Sequence, residues 1–439
     1  MSIELDVIDN GHALPGEEER SSVRISSAPA PPDRGVKAML FLLACFLIEA
    51  IIWGFTISFG VFQAYYGRIE AFQDSRHNIP VIGTFATSFV FLGMPFANPL
   101  VKKYHAWRRW LVIAGCMLCI ASLVGASFTK SVESLIATQG VLYGTGILVT
   151  YAPLISLINE WFIDRRGFAY GVVFAGGGAS GVGLPLLMEW LLANYGYQTT
   201  LRVVAVAQAI LLAPVLPLVR ARVSPSSSDA RGTEVDFLRK PVFWVTTASN
   251  VFVGFAIFIP SIYLPTYASL VGLSPRVGAL LLSALNLAST VGQVGFGHLS
   301  DRFNIFILVF TLTFIPAVAS FFIWGFAHSL APLLIYAILF GFFAGSYIVF
   351  WPKFAEMSKD PLTVYGLYAF GKGIGSIATG PVTSRLITTD ASFGCGLGTY
   401  KNIIIYTGTL LLASSIGILG WPLKSCNNRM RQGESSRSA

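Results

Sequence analysis

The chain has 439 residues, of which 54% are hydrophobic and only 12% charged, where a soluble domain carries about 25% charged residues. That balance excludes a soluble fold with one or two cores, since too little polar surface is left to cover the apolar bulk. The net charge of +8 invites a nucleic-acid reading, which the position of the basic residues then excludes.

The stretch 1–35 is polar, with Glu17-Glu18-Glu19 and Ala28-Pro29-Ala30-Pro31-Pro32. It reads as a disordered tail. The apolar segment that follows is about thirty residues long, too long for a signal-peptide core, so it is expected to stay as a helix. Crossing a bilayer takes about 20 apolar residues. Runs of that kind predict helices at about 36–65, 79–101, 107–128, 131–159, 167–193, 200–219, 241–269, 275–298, 304–326, 331–352, 361–388 and 400–421. The fold class is therefore an all-α membrane protein with twelve transmembrane helices. Its organisation is a six-helix half (36–219), a Ser/Pro-rich linker (220–240), a second half (241–421) and a C-tail (422–439).

With both termini on one side, that side holds 22 of the 30 Lys and Arg residues and the opposite loops hold 6. Positive loops stay cytosolic, so both termini and the linker are expected in the cytosol. On this topology Cys395 faces outward and Cys426 the cytosol. Cys45, Cys116 and Cys119 read as small residues within apolar helices, with no metal spacing. No metal and no cofactor is expected.

Tyr170-Gly171 and Gly176-Gly177-Gly178 recur at one offset, 195 residues on, as Tyr365-Gly366 and Gly371-Lys372-Gly373. A parallel repeat of two halves, with a site at their interface, is a transporter architecture. Gly176 to Gly181 also fits G-x-G-x-x-G, but it lies inside an apolar run rather than after a strand. Close helix packing accounts for it.

Gly297-His298-Leu299-Ser300-Asp301-Arg302 resembles the major facilitator superfamily motif between the second and third helices of each half. The resemblance implies that Asp301 caps and pairs at a neighbouring helix end and, with Arg302, gates one conformation; a solvated loop pair is the alternative. In the first half Lys102 stands where the acid belongs, ahead of Arg108-Arg109. That latch is expected to be weak or differently built, and Lys102→Asp to be tolerated.

More narrowly, the chain resembles the fungal form of the monocarboxylate-porter branch. The resemblance rests on Phe59-Gly60-Val61-Phe62-Gln63-Ala64-Tyr65-Tyr66, Arg165-Arg166-Gly167-Phe168-Ala169-Tyr170-Gly171, Gly341-Phe342-Phe343-Ala344-Gly345 with Pro352, and Gly380-Pro381. Gly60, Ser289 and Gln293 occupy the positions where lactate carriers of that branch hold charged groups, so the proton-and-lactate machinery does not carry over.

Polar residues at membrane depth remain. Lys372 is expected either to bind a substrate anion or to pair with Glu49. Glu49 itself is a coupling carboxyl or a helix-bonded one. Gln63, Asn286 and Gln293 contact the ligand or another helix. The reading is a secondary-active transporter of a small organic solute, an organic anion or polyfunctional metabolite, working by alternating access. Its partners are that solute, the bilayer and a coupling proton, with no nucleic acid, and the chain acts as a monomer in the plasma membrane or an organelle membrane. The alternatives are a secondary-metabolite exporter rather than a monocarboxylate importer and, more distantly, a non-transporting sensor. No nucleophile–base pair or H-x-x-x-H motif supports an enzyme.

Overall fold

The computed structural model describes residues 33–75, 78–222, 236–356, 358–387 and 398–423. Cys395, Cys426, most of the two tails and most of the linker lie outside them. Among the described residues the apolar runs form twelve helices. They are α1 (Val36–Tyr66), α2 (Ile79–Lys103), α3 (Arg108–Ala126), α4 (Val132–Trp161), α5 and α6 (together Arg166–Leu212) and α7 (Pro241–Leu270). The others are α8 (Pro275–Ser300), α9 (Ile305–Trp324), α10 (Leu330–Ala355), α11 (Pro361–Leu386) and α12 (Lys401–Leu423).

The helix ends fall close to the expected ones, with one difference. A loop was expected between the fifth and sixth helices; instead α5 and α6 abut at a single turning residue, Gly196 (φ 72°, ψ 170°). Only glycine takes that backbone conformation without strain, so one residue replaces a loop.

The two six-helix halves meet along two seams, α5 against α8 and α2 against α11. Glycine makes the first seam possible. A Cβ on Gly171 would lie 2.4 Å from the Gln293 carbonyl oxygen, and one on Gly297 would lie 2.7 Å from that of Gly167. The backbones themselves touch there, which in a bilayer is where helix association gains most from packing.

The starts of α1, α3, α5, α7, α9 and α11 share one face with both ends of the described chain, here called the terminal face. At this face Asp33 departs from the disordered-tail expectation. It is buried, adopts φ 59°, and its carboxylate accepts the N–H groups of Ile163, Asp164 and Arg165 at 3.0–3.1 Å. A backbone nest of this kind is an anion site, and here the chain's own carboxylate fills it.

Candidate functional site

Lys372 projects from the middle of α11 where the two halves meet. The α11 backbone lies against α7, since a Cβ on Gly254 would sit 3.0 Å from the Lys372 Cα. Its side chain is directed between α7, α10 and α2. The ammonium lies 5.0 Å from the ring centre of Phe91, 5.4 Å from Trp351 and 5.6 Å from Phe258. It has no hydrogen bond and no carboxylate partner among the described residues. Three cation–π contacts at about 1 kcal/mol each are of the same order as the roughly 3 kcal/mol needed to place a lysine at bilayer depth. The rings therefore hold the cation in place without neutralising it.

Beside the ammonium is a small cavity of about 20 Å³, walled by Asn250 and Val253 of α7 and by Gly345, Tyr347 and Trp351 of α10. That is room for about one water. The α10 wall, Ala344–Phe350, is wound as a 3₁₀ helix, an irregularity that often marks a functional hinge. Asn250 fixes the wall, accepting from Trp351 Nε1 at 2.7 Å and donating to the Tyr368 carbonyl at 2.7 Å.

The other sequence candidates scatter. Gln293 donates to the Gly345 carbonyl at 3.0 Å, so it braces the cavity wall without entering the cavity. Asn286 spans the halves, donating to the Gly181 carbonyl at 3.3 Å. Gln63 is exposed near the far end of α1 and does not reach Lys372.

The Glu49–Lys372 pair, one of the expected alternatives, is not formed. Glu49 is buried without an ion-pair partner among the described residues, with Cys45, Tyr151 and Tyr365 as its titratable neighbours. Tyr151 and Tyr365 belong to a closed loop of seven rings that reaches Lys372 through Phe91 and Trp351. It runs Tyr151, Trp53, Phe91, Trp351, Tyr365, Tyr170, Phe174 and back to Tyr151, with centroid separations of 5.6–6.4 Å. Only Phe91–Trp351 and Tyr170–Tyr365 cross between the halves. Trp53 Nε1 is buried and has no hydrogen-bond partner among the described residues, and the Tyr365 hydroxyl is buried too; the Tyr151 hydroxyl is the polar group that interacts with the Tyr365 hydroxyl.

The terminal face is shut by charge. Asp301, at the end of α8, accepts the Gly167 and Phe168 N–H groups at the start of α5 (3.0 and 2.9 Å) and pairs with Lys353 at 2.7 Å. It thus meets the positive end of α5 in the opposite half. Arg302, expected to share this role, is exposed and forms no ion pair among the described residues. Arg166 reaches Glu356 at 3.4 Å, also across the halves.

The first-half latch is intact and inverted. Lys102, ending α2, forms an ion pair with Asp360 and donates to Thr363 Oγ1 at 2.9 Å. Asp360 in turn caps α11 through the Thr363 N–H at 3.2 Å. Lys102→Asp, expected to be tolerated, would set one aspartate against another at Asp360.

Sequence reasoning missed Phe91, Phe258, Trp351 and Asn250, which carry no motif. Asp360 was within reach, because Asp-Pro directly ahead of an apolar helix is a helix-start signal.

Comparison with known proteins agrees with this architecture. The Major Facilitator Superfamily family model matches residues 41–380. The MFS transporter asaE of Aspergillus flavus is 27% identical over 418 residues, covering 94% of this chain and 92% of that protein. The fujikurins efflux protein of Gibberella fujikuroi is 28% identical over 417 residues, covering 92% and 86%. The aspyridones efflux protein apdF of Emericella nidulans is 26% identical over 367 residues, covering 82% and 74%. Among solved structures, FucP in its outward conformation superposes with a TM-score of 0.63 at 16% identity, covering 86% of this chain and 97% of FucP. Twelve helices in two halves, a glycine seam, a charged latch at one face and a cation at the interface between the halves go together with that match: the chain belongs to the Major Facilitator Superfamily and is an integral, multi-pass membrane transporter.

Proposed function

We infer that the protein exports an acidic secondary metabolite, with Lys372 as the group that binds the acid. The observation that carries this reading is the Lys372 ammonium, held by aromatic rings at the interface of the halves and left without a counter-charge. A substrate anion supplies that charge, and an unpaired buried cation is otherwise costly. The direction rests on the relatives, two of which are named as efflux proteins. On this reading the monocarboxylate-porter resemblance is one of scaffold. In the organism that encodes the protein, loss of the gene should raise one acidic metabolite inside the cells and lower it in the medium, by mass spectrometry of both fractions. Unchanged partition of every acidic metabolite would sink the export reading.

The terminal face is assigned to the cytosol by its excess of Lys and Arg, the membrane to the plasma membrane and the functional unit to a monomer. Impermeant thiol reagent applied to intact cells should label a variant keeping only Cys395 and spare one keeping only Cys426. The reverse pattern inverts the assignment. Glu49, buried with no neutralising cation, is the candidate carrier of a coupling proton.

A further inference from the structure

We propose that the Lys372 site is built for a flat, conjugated acid that takes the place of one aromatic ring against another, and not for an aliphatic carboxylate. This rests on the reading of Lys372 as the acid-binding group. Its own support is the loop of rings, which only two contacts close across the halves, Phe91–Trp351 (6.1 Å, 77°) and Tyr170–Tyr365 (6.2 Å, 27°). Alternating access moves one half against the other, so those are the two contacts that must part.

When they part, the edge-to-face contact of Phe91 with Trp351 and the stacking of Tyr170 on Tyr365 are lost, and a flat ligand restores aromatic contacts of both kinds. In the closed arrangement the cavity beside Lys372 admits about one water, so a ring system enters only as this loop opens. The ammonium touches one ring from each side of the first crossing, Phe91 and Trp351. A ring inserted there brings its acidic substituent to Lys372.

The polar atoms support the same ligand. Trp53 Nε1 is buried without a partner among the described residues, and the Tyr365 hydroxyl is buried with only the Tyr151 hydroxyl beside it. Trp53 packs tilted against Phe91 and Tyr365 edge-on against Trp351, so each donor is one ring removed from a ring that the ammonium contacts. Buried donors left unmet are costly, and acceptor oxygens on a conjugated ring system would satisfy them. An aliphatic acid would meet Lys372 but leave the ring faces and the donors unused.

The test uses the purified full chain in lipid nanodiscs and three probes, followed by titration calorimetry. The probes are naphthoate, its saturated analogue decahydronaphthoate, and the neutral naphthalenemethanol. Naphthoate should bind about tenfold more tightly than either of the others. Lys372→Ala should erase the difference between naphthoate and the neutral alcohol. The comparison among probes needs only the unaltered protein, so a variant that fails to fold does not blunt it. Equal binding of the saturated acid, with its dependence on Lys372 intact, overturns the flat-ligand inference and leaves the acid-binding reading standing. Naphthoate binding that is absent, or unmoved by Lys372→Ala, overturns both.

Discussion

Lys372→Ala should lower transport of the exported acid by about ten- to a hundredfold, the equivalent of losing one charge-assisted hydrogen bond worth roughly 1.5–3 kcal/mol. The protein should still reach its membrane at normal abundance. Removing the ammonium loses three cation–π contacts together with the burial cost they offset, so stability changes little, and the rings can repack on the methyl group. Lys372→Arg should leave partial activity at most, because the planar guanidinium is wider than the ammonium and the cavity beside it is small. Counterflow of the acid in proteoliposomes is the measurement. Because Glu49 and Lys372 do not pair, adding Glu49→Gln to Lys372→Ala should restore nothing. By itself Glu49→Gln should keep counterflow, which needs no coupling ion, while accumulation driven by a pH gradient fails. A double variant that regains transport would show that the two charges exist to neutralise each other.

Lys102→Glu should hold the terminal face open. It exchanges an attraction for a repulsion at Asp360, where the side chains are only 26% and 8% exposed. At the effective dielectric of such a site, and after discounting for solvent, the exchange is worth about 2–3 kcal/mol. That shifts a two-state ratio by roughly a hundredfold. Spin labels at the terminal-face ends of α2 and α11 should report a longer distance. Adding Asp360→Asn should bring the halves back together, since asparagine keeps the cap on the Thr363 N–H and removes the repelling charge. If Lys102→Glu leaves the distance unchanged, the ion pair is ornamental and Asp301 with the Arg166–Glu356 pair closes this face.

Both experiments address groups that the sequence exposed unequally. Lys372 stood out because a cation inside an apolar run has no bland explanation in a bilayer. Asp301 stood out because its neighbours form a motif. Lys102 was visible only as a departure from that motif, and its meaning depended on Asp360, 258 residues away. Glu49 is legible as a carboxyl within an apolar helix, but which of its possible neighbours it meets is not: Lys372 was one alternative, and the structure sets it near Tyr151 and Tyr365. Depth along a helix follows from counting residues, whereas direction around it does not.

The limit has a physical cause. A helix at the surface of a soluble protein shows its inner face through the period of its apolar residues. In a bilayer the lipid side and the protein side are equally apolar, and that signal fades. By itself, then, the sequence determined what depends on length, composition and local chemistry: twelve spans in two halves, a glycine-rich packing face and one cation inside an apolar run. The tertiary structure alone decided what depends on which faces meet. It set Glu49 among tyrosines, closed seven rings into a loop, gave the first-half latch its reversed polarity and left Lys372 with rings for neighbours, because each of those contacts joins helices whose azimuth the bilayer leaves unwritten in the residue pattern.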